Sequence, residues 1–233
     1  GRAVLPLHGA DVALDGHVAY LALADQGLLA VDIRDPARPE VLGRYSAAAP
    51  GKVSAMALDK RSGAPARAYA YQVVLQAWDR ATGAAVGEPG LRIVDVTDPA
   101  QPAGMAFLPL EIDEDGGVYL RSDVEISGTV AFVAGYQSGL HVVDVAYPAR
   151  PALLATYQTP GSVQGLFVDG STLYLAEQPA WDSQQQVMGG GLRALDASDP
   201  THPREVGYSP GRDDALDVLM ADGIAYVTAT HGI

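Results

Sequence analysis

A motif of thirteen residues occurs four times in this chain, and it constrains the fold more than any other feature of the sequence. The motif is Gly-Leu, two variable residues, an aliphatic residue and Asp, two further variable residues, and then Asp-Pro-x-x-Pro. Its copies occupy residues 27–39, 90–102, 139–151 and 191–203, and Tyr147 replaces the second Asp in the third copy. Eight of the sixteen prolines lie in these copies. A repeat with a period of about 50 residues indicates an architecture assembled from similar supersecondary units.

A hairpin pattern recurs along the chain together with this motif. Two runs of apolar and aromatic residues flank a short turn at Asp15-Gly16, Ser127-Gly128, Asp169-Gly170 and Asp222-Gly223. Such a turn between β-rich runs is a strong hairpin signal. A further short strand is predicted after the proline pair, for example over 40–45 and 152–157, and no segment has sustained helical periodicity. Each unit therefore contains four short strands, which predicts the blades of a β-propeller.

The repeated Gly-Leu-x-x-Val-Asp-x-x-Asp-Pro-x-x-Pro motif resembles the LVIVD repeat, a bacterial and archaeal β-propeller repeat. The resemblance extends over essentially the whole chain. It implies an all-β propeller and an extracellular or cell-surface location, because proteins with this repeat are typically secreted or displayed on the cell. It implies no set of catalytic residues, since the repeat is a scaffold signature.

The repeat predicts one all-β domain over residues 1–233, a β-propeller of four-stranded antiparallel blades with five blade units. The units are placed at about 10–51, 52–110, 120–160, 161–210 and 211–233, and the last one is incomplete. Residues 1–7 are expected to form a fourth strand with no blade before it, which either completes the fifth unit at 211–233 or belongs to a blade whose other residues are missing from this sequence. Because unpaired strand edges favour aggregation, we expect the chain to be part of a longer protein.

Loops of variable length mark the end of the blades where we expect a functional site. In an antiparallel blade, the loop between the second and third strands and the link to the next blade emerge at the same end. These connections include residues 77–89, 110–119 and 177–190, whereas the turns at the opposite end are nearly identical among the copies. Variable loops on a repeating scaffold are typical of a binding surface.

An acidic segment among these loops has some features of a calcium-binding loop. Glu111, Asp113 and Asp115 alternate along the chain and are followed by two glycines. Ca²⁺ prefers several carboxylate oxygens around a tight turn. The closing Glu of such a loop is absent, because Ser122 occupies the twelfth position. A Ca²⁺ site and a solvated acidic turn are both compatible with this pattern.

Polar residues near the predicted starts of the first strands form a second candidate set, at a central channel. They are Asp11, Asp123, Gln164, Asp213 and Asp214. Carboxylates that converge on a channel can hold a cation or a polar substrate, and each raises the pKa of its neighbours. In the alternative interpretation these residues cap the strands and bind channel water.

The two tryptophans lie in the inserted loops and suggest a binding surface. The set consists of Trp78, Asp79, Trp181, Asp182 and Gln184, with Gln185 and Gln186 beside it. An exposed Trp flanked by Asp and Gln is suited to stacking on a sugar or to a protein hot spot. A Trp that folds back over the blade edge is the alternative.

Other chemically capable residues are expected to be structural. The Asp at the sixth motif position, present as Asp32, Asp95, Asp144 and Asp196, precedes a proline turn and is expected to bond to its backbone. The five histidines have no metal-ligand spacing, and the chain contains no Cys. No nucleophile-elbow, phosphate-loop or dinucleotide motif is present.

Composition restricts the class of partner. A net charge of −13 disfavours nucleic acid and anionic membranes, and no apolar stretch is long enough to insert into a bilayer. The sequence thus predicts a non-catalytic binding or scaffold module, extracellular or at the cell surface, that presents its loops to a protein or glycan partner with Ca²⁺ as an optional cofactor. A hydrolase or lyase with an acidic, metal-assisted site over the channel is one alternative. A structural subunit of a larger assembly is the other.

Overall fold

The computed structural model describes residues 9–24, 27–47, 51–78, 82–112, 122–181, 184, 187–211 and 213–230. These residues form strands, turns and irregular segments. They include no helix that could cross a membrane. The chain divides into two compact units, Gly1–Leu110 with Pro148–Arg150, and Glu111–Tyr147 with Pro151–Ile233.

The first unit contains two four-stranded antiparallel sheets. The first sheet consists of β1 (Gly9–Asp15), β2 (Val18–Leu23), β3 (Gly27–Asp32) and β4 (Glu40–Tyr45), in that order. The second sheet begins with β5 (Lys52–Arg61) and β6 (Arg67–Leu75). A small ribbon of β7 (Ala77–Trp78) and β8 (Ala85–Val86) follows, and then β9 (Gly90–Asp95) and β10 (Ala103–Pro109) complete the sheet in the order β5-β6-β9-β10.

The second unit contains two further four-stranded sheets and a two-stranded one. The third sheet has β11 (Val124–Ser127), β12 (Val130–Ala134), β13 (Leu140–Asp144) and β14 (Ala152–Tyr157). The fourth has β15 (Ser162–Asp169), β16 (Thr172–Gln178), β19 (Gly191–Asp196) and β20 (Arg204–Pro210), with the ribbon β17 (Ala180–Trp181) and β18 (Val187–Met188) after β16. The fifth sheet pairs β21 (Ala215–Ala221) with β22 (Ile224–Ala229).

The strand order confirms the predicted fold class. Each complete sheet has four antiparallel strands in chain order, which is the arrangement of a propeller blade. The repeated motif forms the third strand and the turn after it in every complete sheet. The fold is therefore all-β and propeller-like.

The hairpin turns differ by one residue from the sequence prediction in three of the four cases. The strand pairs end at Asp15 with Val18, at Ser127 with Val130 and at Asp169 with Thr172. The two-residue turn there consists of the glycine and the residue after it, because glycine supplies the positive φ at the first turn position, +56° for Gly16. In the last hairpin the turn is Asp222-Gly223, as predicted, and both residues have positive φ.

The motif leucine anchors the core. Leu28, Leu91 and Leu140 are 0% exposed on the third strands of their sheets. In the second unit Leu140 packs in a cluster with residues from β12, β15 and β16. The second and third strands thus bury their side chains, whereas the fourth strands are largely exposed.

Candidate functional site

The Asp at the sixth motif position closes a local turn in every copy. Its Oδ1 accepts a hydrogen bond from the backbone N–H two residues later, at 2.8–2.9 Å. The four bonds join Asp32 to Arg34, Asp95 to Thr97, Asp144 to Ala146 and Asp196 to Ser198. These are Asx turns, so the carboxylates have the backbone role that the sequence predicts.

Two members of the predicted channel set bind backbone amides with both carboxylate oxygens. Asp11 accepts from the N–H of the following residue at 2.7 Å and from Met56 on β5 at 2.8 Å. Asp123 accepts from the following N–H at 2.8 Å and from Leu166 on β15 at 3.0 Å. Each carboxylate therefore joins the first strand of its own sheet to the first strand of the next, which is the capping geometry of the alternative interpretation.

The other members of the channel set have different surroundings. Gln164 is 4% exposed and donates to Gln178. Asp213 is exposed just before β21. The backbone carbonyl of Asp214 accepts from the N–H of Thr230 at 3.2 Å. The five residues therefore do not share one type of environment.

The acidic segment is described only at its start. Asp113 and Asp115 lie outside the described residues, so the Ca²⁺ prediction there stays a prediction. The side chain of Glu111 is exposed, and its backbone carbonyl contacts Nε2 of His141 at 2.6 Å. Within the described ranges, no group of three or more His, Asp or Glu side chains is arranged to hold a metal ion.

Glu125 on β11 is a titratable group that the sequence did not single out. Burial raises its pKa to about 7, and the neighbouring carboxylates of Asp123 and Asp217 act in the same direction. Glu125 therefore changes its charge near neutral pH.

The third position of the motif varies among Leu29, Arg92, His141 and Arg193, and the three polar residues are buried. Each side chain faces a different cross-strand partner on the fourth strand, as Arg92 faces Phe107, His141 faces Thr156 and Arg193 faces Tyr208. The predicted sites do not include these residues, although a polar residue between the motif Leu and the aliphatic position is a visible signal in the sequence.

Arg193 is held by two carboxylates. Its guanidinium forms a bidentate ion pair with Glu177, with Nε–Oε1 at 2.5 Å and Nη2–Oε2 at 3.1 Å, and a second contact with Glu205. The Glu177 side chain is 0% exposed and that of Arg193 is 5% exposed. Burial lowers the pKa of Arg193, but the two carboxylates outweigh this effect and hold the pKa above its usual range. The guanidinium also lies 4.5 Å from the ring centroid of Tyr208.

His141 and Ser138 are close but are not arranged as a base and a nucleophile. Nε2 of His141 contacts the carbonyl of Glu111, which can only accept, so Nε2 carries the proton. Nδ1 then accepts from the Thr156 hydroxyl at 3.1 Å. The Ser138 hydroxyl lies 3.1 Å from Nε2 and donates to the carbonyl of Gly135. A protonated Nε2 cannot take the serine proton.

The tryptophan set is divided between the two units. Trp78 lies in the β7–β8 ribbon and Trp181 in the β17–β18 ribbon. Gln184 is exposed between β17 and β18, and Asp79 and Asp182 lie outside the described residues. Each tryptophan is the last residue of the first strand of its ribbon, and the two ribbons follow equivalent strands of the second and fourth sheets.

A cavity of about 500 Å³ lies in the second unit at the end of β16. Its walls come from the turn after β12, the link between β14 and β15, and the start of the β17–β18 ribbon. The lining residues on which its chemistry depends are Tyr136, Thr159, Gly161, Ser162, Gln178 and Ala180. None of the described residues that line it is Asp, Glu, Lys, Arg or His. The cavity is therefore at the variable end of the sheets, and its lining is uncharged as far as the structure describes it.

A hydrogen-bonded row of side chains supports this cavity. Oε1 of Gln178 accepts from the Tyr136 hydroxyl at 3.3 Å and from Nε2 of Gln164 at 2.6 Å. Oε1 of Gln164 is buried and has no hydrogen-bond partner among the described residues. Gln164 belongs to the predicted channel set, whereas Gln178 and Tyr136 were not predicted, because neither belongs to a repeated pattern.

The backbone around the cavity is strained and closely packed. Tyr136 has φ of +59°, a left-handed conformation that is rare for an aromatic residue. Its backbone is held by two hydrogen bonds to Val163, at 3.0 and 3.2 Å. Gly189 also has positive φ, and a Cβ there would lie 2.3 Å from the backbone nitrogen of Gly161. The cavity wall thus depends on glycine at this contact.

Comparison with solved structures supports the fold. The chain is similar to a functionally unknown protein from Desulfotomaculum acetoxidans DSM 771, with a TM-score of 0.68 at 11% identity over 97% of this chain and 64% of that one. It is also similar to the computationally designed Ika8 protein, with a TM-score of 0.56 at 9% identity over 94% of this chain and 54% of that one. The chain thus spans less than two thirds of each of these proteins, and the likeness concerns the fold alone.

Comparison with protein families identifies the repeat. No curated protein matches the chain. The model of the LVIVD repeat matches residues 8–47, 84–106, 121–159 and 187–209, which together are more than half of the sequence. The chain belongs to the LVIVD repeat family.

Proposed function

We propose that this chain is a non-catalytic binding module of the cell exterior that takes a glycan or part of a protein partner into the cavity at the end of β16. The observation that carries the proposal is the cavity itself, about 500 Å³ in volume, whose described lining residues are uncharged and include polar side chains. A concave site with a few convergent polar groups is the usual form of a ligand site.

The location of the cavity supports this function. Its three walls are connections that differ among the repeats, so a ligand can be recognised without a change in the scaffold. The backbone of Trp181 continues from Ala180, which lines the cavity, so the predicted tryptophan loop borders the same site. The strained Tyr136 is a further sign, since strained backbone is concentrated at functional sites.

The chemistry of the site favours binding over catalysis. The nearby Ser138 and His141 have the wrong proton arrangement for an activated nucleophile. The cavity lining offers hydroxyl and amide groups, which bind and orient a ligand but do not act as acid or base near neutral pH. A contribution of Ca²⁺ through Glu111, Asp113 and Asp115 remains part of the proposal.

A cavity-filling variant with a matched control tests the function. Ala180→Trp places a large side chain in the cavity, and Ala152→Trp places the same side chain at an exposed position at the start of β14. The native chain and both variants are applied to arrays of immobilised oligosaccharides and peptides. We expect the native chain and Ala152→Trp to bind the same probes, and Ala180→Trp to bind none of these. Because the module is non-catalytic, the bound probes should be recovered chemically unchanged. Equal binding by Ala180→Trp, or no binding by the native chain, contradicts the proposal.

A further inference from the structure

The lining of the cavity defines the class of ligand more narrowly. Tyr136, Thr159 and Ser162 bring hydroxyl groups to it, and Gln178 brings an amide. An ionised ligand that leaves water for such a site loses hydration without gaining an opposite charge. The lining therefore favours a neutral ligand with many hydrogen-bonding groups.

The orientation of Gln178 leaves one polar end of its amide for a ligand. Oε1 already accepts from Tyr136 and Gln164, whereas Nε2 has no acceptor among the described residues. If the nitrogen and oxygen positions of both amides are exchanged, Nε2 of Gln178 donates to Tyr136 and Gln164. In that case Oε1 of Gln178 is the atom left for a ligand. A ligand hydroxyl satisfies either orientation, because it both donates and accepts.

In the row of hydrogen bonds, one buried polar atom of Gln164 lacks a hydrogen-bond partner among the described residues. Its Oε1 is buried, and turning the amide over only exchanges that unpaired oxygen for an unpaired nitrogen. Buried polar atoms in native proteins are nearly always bonded to protein, water or ligand. Gln164 is a positioning residue in this arrangement, because it acts on the cavity only through Gln178.

The charged side chains behind the cavity wall disfavour the binding of an anionic ligand. A Cβ on Gly161 would lie 3.3 Å from Oε2 of Glu177, so this carboxylate is directly behind a lining residue. In the described part of the chain, Arg193 pairs with both Glu177 and Glu205, so this group of three side chains has one net negative charge. Anionic sugars, phosphates and acidic peptides are therefore disfavoured.

We infer that the cavity binds a neutral saccharide, with Gln178 and the Tyr136 hydroxyl as its hydrogen-bonding residues and the Tyr136 ring as a surface for the sugar. This inference rests on the proposed function and names its ligand class. Saccharide hydroxyls match the mixed donors and acceptors of the lining, and an aromatic ring with a polar end contacts both the apolar and the polar edge of a sugar.

Titration calorimetry and saturation-transfer NMR with defined probes test the inference. The neutral probes are maltose and N,N′-diacetylchitobiose, the anionic probe is sialyllactose, and the peptide probe is an acetylated and amidated pentapeptide without charged residues. Tyr136→Phe removes only a hydroxyl, and Gln178→Glu keeps the acceptor for Tyr136 and Gln164 but removes the amide donor. Gln101→Glu, on an exposed loop of the first unit, adds the same charge away from the cavity.

We expect a neutral saccharide to bind the native chain and Gln101→Glu equally. Each of Tyr136→Phe and Gln178→Glu is expected to weaken it about three- to tenfold, the effect of one lost hydrogen bond. Thermal unfolding of all variants shows whether the fold is retained. If only sialyllactose or the peptide binds, and Ala180→Trp abolishes that binding, the inference of a neutral saccharide is wrong and the proposed function stands. If none of these probes binds in a way that Ala180→Trp abolishes, the inference is wrong, and the array experiment with the same variant decides whether the proposed function is wrong as well.

Discussion

The buried ion pair of the fourth sheet allows a quantitative test of how this sheet is stabilised. Arg193→Met keeps most of the side-chain stem but leaves Glu177, which is 0% exposed, without its bidentate cation. Removal of one partner of a buried pair costs about 3–5 kcal/mol. The carboxyl group can limit this cost by taking up a proton. At about pH 7, protonating a carboxyl of ordinary pKa costs roughly 3.7 kcal/mol, since each pKa unit is about 1.4 kcal/mol.

This reasoning predicts a destabilisation that depends on pH. In Arg193→Met the buried carboxylate of Glu177 has lost its cation, so the destabilisation caused by the substitution is expected to be smaller at low pH and to grow as pH rises. We expect the loss relative to the native chain to be about 4 kcal/mol near pH 7 and about 1 kcal/mol near pH 5. Urea unfolding at the two pH values measures it, and the loss near pH 7 corresponds to a melting-temperature decrease of roughly 10 °C.

Two further variants make the test specific to the buried pair. Arg204→Met removes the partner of Asp196 in an exposed pair with a 3.7 Å separation, and should leave the free energy of unfolding nearly unchanged at either pH. Arg193→Met combined with Glu177→Gln removes the unpaired charge and should recover most of the loss near pH 7. A loss for Arg193→Met that is below about 1 kcal/mol, or that is the same at both pH values, refutes this account.

Three other predictions concern single groups. Because the pKa of Glu125 is raised from 4.5 to about 7, its contribution to stability is fully present below pH 4.5 and is lost as pH rises through about 7; Glu125→Gln should abolish this part of the pH profile in denaturant unfolding. Burial lowers the pKa of His141 below 6.5, so stability should fall as pH decreases from 6.5, and His141→Gln should remove that decrease; an unchanged profile would contradict a buried neutral imidazole. Asp144→Ala should cost about 1 kcal/mol of unfolding free energy through the lost Asx turn, and Asp144→Asn, which keeps the acceptor oxygen, should cost clearly less. Equal losses for Ala and Asn would mean that the turn bond contributes little.

The local elements of the fold were predictable because their causes lie within a few residues of sequence. The Asx turn at Asp144 is made by an acceptor and an N–H two residues apart, so the motif contains both partners. The strand predicted over 152–157 coincides with β14, because the proline turn fixes where it begins. The turn predicted at Asp15-Gly16, like its two counterparts at Ser127-Gly128 and Asp169-Gly170, is one residue earlier than the observed turn, since the pattern does not show which residue adopts positive φ first.

The candidate site was predictable only in its general position. The variable connections do form the cavity, but Tyr136, Ser162 and Gln178 come from three different segments and have no common pattern in the sequence. Arg193 and Glu177 likewise lie 16 residues apart and meet through the pairing of β16 with β19. Their pairing follows from strand register, which a list of residues does not contain.

The sequence by itself determined the repeat, the hairpins, the third-strand motif and its proline turns, because each depends on backbone preferences and hydrogen bonds between near neighbours. The tertiary structure alone decided where Asp11 and Asp123 direct their oxygens, which buried charge pairs with Arg193, and which side chains line the cavity. These features depend on contacts between strands and loops that are distant in the chain, and such contacts exist only after the sheets have packed.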